Sequence, residues 1–345
     1  MERLQQVKKI TIYDLATLAG TSASTVSAVL NGTWKKRRIS QKLADRISRL
    51  ALQKGYSVNM QASALRRERS GIIGMIVPMY DNRYFSSIAQ TFEAMARQKG
   101  LFPIVTCTRR DPELELEAAR SMLAYQVEYL VCTGATDPDR ITDLCNAAGV
   151  PTINLDLPGR KAPSVISDNY AGALSLTKIT LLKSSDEGLG AQPLLFVGGR
   201  GSDHNTRERV RGFRAAHAEL GVAVDENYIL TCGYAASKAE DSLESFAKRE
   251  GQIPSGMFVN STISLEGVIR WIKRFGKMYL REVKIGCFDW DPFAELLSEN
   301  ISMVRQDVPS MLNVVFSLID NPSSQAEVIE IPPIIPSDSL DLIGN

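Results

Sequence analysis

Residues 11–32 read Thr-Ile-Tyr-Asp-Leu-Ala-Thr-Leu-Ala-Gly-Thr-Ser-Ala-Ser-Thr-Val-Ser-Ala-Val-Leu-Asn-Gly. Thr11 has the character of a helix N-cap, and Asp14, three residues on, is the acid of a capping box. Ile12, Leu15, Ala16 and Leu18 follow as a short apolar face at helical spacing. Gly20 stops this helix. Ser22 caps a second one, which runs through Thr25, Val26, Val29 and Leu30 and ends at Asn31-Gly32, residues that tolerate left-handed backbone. Helix, tight glycine-containing turn and second helix make a helix-turn-helix. A third helix from Ser40, with Leu43, Ile47, Leu50 and Ala51 on one side, closes a small core and ends at Gly55.

Charge is unevenly spread around this motif. Residues 1–70 hold fourteen Lys and Arg against four Asp and Glu, a net +10, while the remainder carries −9, leaving +1 overall. A basic head on an acidic body implies that the head alone meets a polyanion. In a helix-turn-helix the second helix enters the major groove. Here its early residues, Ala23, Ser24, Ser27 and Ala28, are small and offer hydroxyl and methyl contacts rather than long bidentate donors. The loop Thr33-Trp34-Lys35-Lys36-Arg37-Arg38 suits phosphate contact, which positions a protein without reading sequence.

Other features narrow the class. Hydrophobic residues make up 44% and charged residues 23%, the composition of a globular chain. Five cysteines, an odd number with no C-x-x-C pair, argue against both a disulfide framework and a zinc cluster. The opening residues have no apolar stretch of the kind that leads secretion, and no apolar run is long enough to span a bilayer. The expectation is a cytoplasmic protein with no membrane partner.

The runs Ile12–Ala16, Ala19–Ser22, Thr25–Ser27 and Val29–Gly32, followed by Ile39-Ser40 and Gly55-Tyr56-x-x-Asn59, resemble the opening of the LacI/GalR family of bacterial repressors. The basic insertion before Ile39 is similar to the branch containing the fructose and sucrose regulators. The resemblance extends along the whole chain. It implies a sequence-specific transcriptional regulator, a repressor, that binds double-stranded operator DNA as a homodimer. The candidate DNA-contacting set is Thr11, Tyr13, Ser22, Ala23, Ser24, Thr25, Ser27, Ala28, Asn31, Lys35, Lys36, Arg37, Arg38, Tyr56, Asn59, Ala62 and Leu65. Residues 1–57 form the DNA-binding domain and 58–70 the hinge. The hinge has helix formers and a cationic end, but is too short to hold a helix alone. By resemblance it folds on DNA, Ala62 meeting its dimer mate and Leu65 wedging between base pairs in the minor groove.

From Gly71 the pattern changes to apolar strands alternating with amphipathic helices, the signature of a parallel sheet covered on both faces. The order repeats after Asp168. The fold class is therefore a small all-α head plus an α/β two-lobed, periplasmic-binding-protein-like body over 71–345. Lobe one covers about 71–168 plus 303–330, and lobe two about 169–302, with Met303 to Asp307 as the return. Such folds bind ligands beyond the carboxyl ends of their strands.

Polar residues at strand ends mark the candidate cleft. Asp156 follows one strand, Asp289 closes another and precedes Trp290, and Arg209 lies early in a helix after Gly198-Gly199. Carboxylates and guanidinium groups give sugar hydroxyls directional hydrogen bonds. In the family the positions matching Asp156, Arg209 and Asp289 contact the effector. The strand-end pair often Asn-Asp in the family is Ser261-Thr262 here. Tyr80, Asp81, Tyr84 and Phe85 complete the wall. The expected effector is a small sugar or sugar phosphate of fructose type, with no cofactor.

Catalysis finds no motif. Gly198-Gly199-Arg200-Gly201 lacks both the P-loop continuation and the dinucleotide glycine spacing. His204 and His217 are not at metal-ligand spacing. The competing readings are a sugar-binding receptor, which needs a leader and no basic head, and a sugar-phosphate enzyme, which only the α/β lobes favour. No terminal leucine heptad is present, so a dimer rather than a coiled-coil tetramer is expected.

Overall fold

The computed structural model describes residues 10–56, 69–184, 192–251, 254–322 and 325–335. It divides the chain into two compact units, Met1–Ser70 and Gly71–Asn345. Asn59, Ala62 and Leu65 of the hinge lie outside the described residues.

In the first unit, α1 (Ile12–Ala19), α2 (Ala23–Leu30) and α3 (Gln41–Gln53) follow their caps. The Asp14 N–H donates to the Thr11 hydroxyl at 3.3 Å, and the Thr11 N–H donates to the Asp14 carboxylate at 2.8 Å, closing the capping box. Gly20, at φ +62°, turns the chain in a conformation that suits glycine. Ser22 and Ser40 cap the next two helices. Leu15, Ala16, Ala19, Val26, Val29, Ile47 and Ala51 form the core. Leu18 corrects the sequence reading. It is 44% exposed, and Ala19 takes its place, because Ile12, Leu15, Ala16 and Ala19 form the helical stripe and Leu18 falls outside it.

The second unit opens with β1 (Ile72–Val77), α4 (Arg83–Gln98), β2 (Phe102–Cys107), α5 (Pro112–Ala124), β3 (Tyr129–Thr133), α6 (Pro138–Ala147), β4 (Thr152–Leu155) and β5 (Ser164–Ser167). The chain then builds α7 (Asn169–Ser184), β6 (Leu195–Val197), β7 (Gly199–Arg200), α8 (His204–Glu219), β8 (Ile229–Leu230), β9 (Cys232–Gly233) and α9 (Ala236–Glu250). It continues through β10 (Gly256–Val259), α10 (Thr262–Ile272), α11 (Lys277–Glu282), β11 (Lys284–Phe288), α12 (Pro292–Glu295) and β12 (Ile301–Val304). It closes with α13 (Val308–Asp320) and β13 (Val328–Ile331).

Two parallel sheets result, in the orders β13-β5-β4-β3-β1-β2 and β12-β11-β10-β6-β8. Their inner strands, such as β1, β3 and β10, are buried along nearly their whole length, as sheets covered on both faces require. The first lobe packs α4 against α13, with the Phe92 and Phe316 rings stacked at 5.7 Å. The second builds on Phe196, Phe213 and Phe258. His217 is structural. Fully buried, it accepts the Leu194 N–H at Nε2 and lies 2.8 Å from the Phe213 carbonyl at Nδ1. Burial holds its pKa down, which suits a neutral ring.

Lobe boundaries differ from the sequence reading in two places. Met303 and Val304 belong to β12, an edge strand of the second sheet, so the return begins only at Arg305, which bridges antiparallel to Ile334. The prediction missed β5, whose Ser-Val-Ile-Ser run is too short and polar to read as a buried strand. It pairs with both β4 and β13, which makes Val328–Ile331 the sheet's outer strand. Helix α4 starts at Arg83, because the Asn82 side chain caps it, accepting the N–H groups of Tyr84 and Phe85.

Candidate functional site

The first unit presents a face built from α2 and the loop after it. Ser22 and Ser24 are exposed, while Ala23, Thr25, Ser27 and Asn31 are half-buried. The Ser22 hydroxyl lies 2.9 Å from the hydroxyls of Ser24 and Thr25, and Asn31 donates to the Ser27 hydroxyl. Thr11 is exposed, Tyr13 is 74% exposed, and Tyr56 packs half-buried on the core. Ala28 is the exception. At 3% exposure it faces inward, with the chain folded back over it as Thr33 donates to its carbonyl, so Ala28 leaves the candidate contact set.

Lys35, Lys36, Arg37 and Arg38 all point to solvent, and no ion pair engages them among the described residues. Trp34 supports the loop from beneath, packed on the head core, with the Lys35 ammonium 5.4 Å from its ring. A cluster of exposed cations on a turn beside a helix-turn-helix is chemically suited to phosphate contact.

In the second unit, a narrow crevice of about 20 Å³ lies between the two lobes. Asp156 and Asp289 stand at the carboxyl ends of β4 and β11, one from each lobe, both at φ +75°. Aspartate is among the few residues that enter this region, and such strain collects at binding sites. Gly134 clears the space, since a Cβ there would lie 3.2 Å from the Asp156 carboxylate.

A hydrogen-bond chain crosses the crevice. Asp156 accepts from the Tyr84 hydroxyl at 3.1 Å and from Asn205 at 3.2 Å. Asn205 accepts from Asn169, whose own side-chain oxygen accepts the Arg209 Nε–H at 2.8 Å. The Arg209 Nη1 donates to the Asn260 carbonyl at 2.6 Å, and its guanidinium lies 3.7 Å above the Phe288 ring. Gln306 donates to Asp289 at 2.6 Å. Three buried polar atoms nearby have no protein partner: Arg110 Nε, Asn260 Oδ1 and Gln306 Oε1. Buried donors and acceptors left open in this way are what a polar ligand satisfies.

Burial pushes the Asp156 carboxyl up to about 6, against the pull of Arg110 and Arg209 and with help from Asp289. Asp289 is raised by the same desolvation, opposed first by Arg209. The Tyr84 hydroxyl is held well above its ordinary value by burial and the two carboxylates. The site therefore holds buried charge that is costly to keep from water.

Two family models divide the chain at this same transition. Residues 11–59 match the model for bacterial regulatory proteins of the lacI family. Residues 70–308 match the model for periplasmic binding proteins and the sugar binding domain of the LacI family. The chain belongs to the LacI family. It is a DNA-binding transcriptional regulator, which sets aside the enzyme and receptor readings. The ribitol operon repressor of Klebsiella aerogenes is 62% identical over 194 residues, covering 56% of this chain and 72% of that one. The sucrose operon repressor of Klebsiella pneumoniae is 27% identical over 304 residues, 88% of this chain and 89% of that one. The crystal structure of the lac repressor dimer bound to operator and the anti-inducer ONPF shares the fold. It aligns at a TM-score of 0.73 and 22% identity over 94% of this chain and 97% of that one. Among the described residues no helix is long and apolar enough to cross a membrane.

In this LacI-family chain, the crevice brings together Tyr84, Phe85, Asp156, Arg209, Ser261 and Asp289 from the sequence-predicted set. It leaves others out. Tyr80 is 52% exposed and donates to the Val105 carbonyl. Asp81 and Thr262 line an outer mouth. Trp290 turns away from the crevice, donating to Glu295 with its ring 5.7 Å from Arg305, because consecutive residues leave a strand end in different directions. The sequence reading missed Asn82, Arg110, Asn169, Asn205, Tyr234, Asn260 and Gln306. Single polar residues in loops and helix starts carry no spacing signal, although the strand-end rule that selected Asp156 also applies to Asn260.

The raised Asp156 pKa makes a stability prediction. A carboxyl whose folded pKa lies above its unfolded value stabilises the fold fully below pH ~4 and loses that contribution as pH rises through about 6. Asp156→Asn holds the neutral form at every pH. Its free energy of unfolding is expected to exceed that of wild type at pH 7.5, by an upper limit of about 3 kcal/mol, and to match it near pH 4. A variant less stable than wild type at pH 7.5 would show that Asp156 is a structural acid.

Proposed function

We propose that the chain is an operator-binding repressor released by a small neutral polyol of the pentitol class, ribitol or a close relative, held between its two lobes. The balance of charge in the crevice carries this reading: Asp156 and Asp289 face Arg209 and Arg110. Polyol hydroxyls donate to carboxylates and accept from guanidinium N–H groups, so one hydroxyl pair can use both signs. A phosphate would bring further negative charge to a crevice that already holds two acids, Asp156 and Asp289. It would also pass a mouth where Asp81, Glu266 and Asp291 outnumber Arg83. This favours a neutral ligand over the phosphorylated sugar expected from sequence. The name of the Klebsiella aerogenes relative, a ribitol operon repressor, points the same way.

In this reading the protein works in the cytoplasm as a homodimer, since paired heads read a near-palindromic site. The occupant is a reversible effector, with no resident cofactor. Calorimetry on the full chain with ribitol, fructose, fructose 1-phosphate and sucrose tests it. Ribitol is expected to bind at least about tenfold tighter than any other, a difference of ~1.4 kcal/mol. Tightest binding of fructose 1-phosphate would overturn the reading.

A further inference from the structure

One charged group in the crevice is not accounted for by the packing of either lobe. Arg110 lies in the loop between β2 and α5 at φ +57°, directly after Arg109 at φ +54°. Two successive non-glycine residues in the left-handed region persist only where their surroundings over-determine them. The surroundings here do so. The Thr136 hydroxyl donates to the Arg110 carbonyl at 3.4 Å, and the Thr136 N–H is held at 3.0 Å by the Glu115 carboxylate.

This backbone sends the guanidinium between two rings from different lobes, 5.5 Å from Phe85 and 4.7 Å from Tyr234. The Tyr234 ring is fixed in turn, its hydroxyl 3.2 Å from that of Thr206 and accepting from Asn260 at 3.4 Å. Arg110 Nε is buried with no hydrogen-bond partner, and among the described residues the guanidinium has no ion pair. Asp156 and Asp289 nevertheless feel its charge. A cation within electrostatic reach of two carboxylates, yet bonded to neither, leaves room for an oxygen between them.

We infer that Arg110 determines specificity for the effector from the first lobe, donating its Nε–H to an effector oxygen while its stack on Tyr234 ties that contact to the second lobe. The inference rests on the polyol reading of the same crevice. A buried donor without a partner is costly, and a ligand oxygen at that point removes the cost. A ligand lacking that oxygen leaves the donor open, and so is rejected more strongly than its lost contact alone would require. Lysine cannot substitute, because its ammonium is a point charge without the planar edge that both stacks on a ring and donates from Nε.

The test compares Arg110→Met and Arg110→Lys, with Arg109→Met as a control at an exposed neighbour of the same backbone conformation. Ribitol binding to the full chain is expected to weaken about 30-fold or more in Arg110→Met. It should recover only a few-fold in Arg110→Lys and stay within about twofold of wild type in Arg109→Met. Operator affinity without effector serves as the folding control. A second readout needs no effector: carbon-13 NMR of the Asp156 carboxyl, which Tyr84, Asn205, Arg209, Asp289 and Arg110 all face. Its titration should move upward in Arg110→Met and stay in Arg110→Lys, whereas a purely packing role moves neither. Ribitol affinity within about threefold of wild type in Arg110→Met overturns the inference. If wild-type protein binds none of ribitol, fructose and fructose 1-phosphate, the polyol reading falls, and the inference is judged on the titration alone. An unshifted Asp156 then overturns it.

Discussion

Arg209→Met is expected to abolish effector binding while leaving the protein folded and bound to its operator. Arg209 is 3% exposed, and its guanidinium is used on three sides, by Asn169, the Asn260 carbonyl and the Phe288 ring. Together with Arg110 it opposes the burial that raises both crevice carboxyls, Asp156 and Asp289. Methionine keeps much of the stem and can rest on Phe288, but leaves two buried acids short of a counter-charge. Removing one partner of such a set typically costs about 3–5 kcal/mol, because the remaining charges stay buried. The acids have a way out: they take up protons and remain neutral. The fold therefore survives, at the expense of the charge that grips a polyol. The expected result is a fall in ribitol affinity of roughly two to three orders of magnitude, with operator affinity within a few-fold of wild type. Retained ribitol affinity in a folded variant would remove Arg209 from the site.

The second large effect is expected at the other unit. Replacing Lys35, Lys36, Arg37 and Arg38 together by Ala should weaken operator binding by roughly a hundredfold at physiological salt, because each phosphate contact contributes through counterion release. The diagnostic is the salt dependence. The slope of log K against log salt should become shallower by about 0.9 for each lost contact, up to ~3.6 in all. Affinity for unrelated DNA should fall in parallel, since phosphate contacts carry no sequence information. Ser24→Ala, by contrast, should reduce discrimination between sites with little change of slope. An unchanged slope in the quadruple variant would mean that the exposed turn faces away from DNA. Ribitol affinity should be untouched in either case.

Much of this architecture could be read before any coordinates. The capping box at Thr11 and Asp14, the stop at Gly20 and the cap at Ser22 are local chemistry, and local chemistry needs only neighbours in sequence. Runs such as Ile72–Val77 and Gly256–Val259 announce buried parallel strands by being apolar throughout. What escaped depends on long-range partners. Strand β5 is a strand because β4 and β13 flank it, and its Ser164 and Ser167 are buried only in that setting. Likewise β12 looked like a return to the first lobe until its pairing with β11 placed it in the second.

The site divides in the same way. Asp156 and Asp289 were legible because each ends an apolar strand, where ligands gather in such folds. Arg110 and Gln306 were not, because their meaning comes from residues far away in sequence: Tyr234 for one, Asp289 for the other. Trp290 and Tyr80 were over-read. An aromatic next to a strand-end acid looks like a sugar platform, but the turn at Asp289 sends Trp290 to Glu295 instead. Ala28 has the right position along the helix and the wrong face.

Occupancy of the crevice is expected to govern the grip on DNA. Such coupling is reciprocal: a ligand that weakens operator binding must itself bind more weakly to the operator complex, by the same factor. The most direct measurement is fluorescence anisotropy of labelled operator DNA with the full chain, with and without saturating ribitol, in wild type and in Arg209→Met. Wild-type operator affinity is expected to fall about tenfold or more when ribitol is present, and the Arg209→Met affinity to stay constant. Contradiction would come from a wild-type protein that calorimetry shows to be saturated with ribitol while its operator affinity does not change.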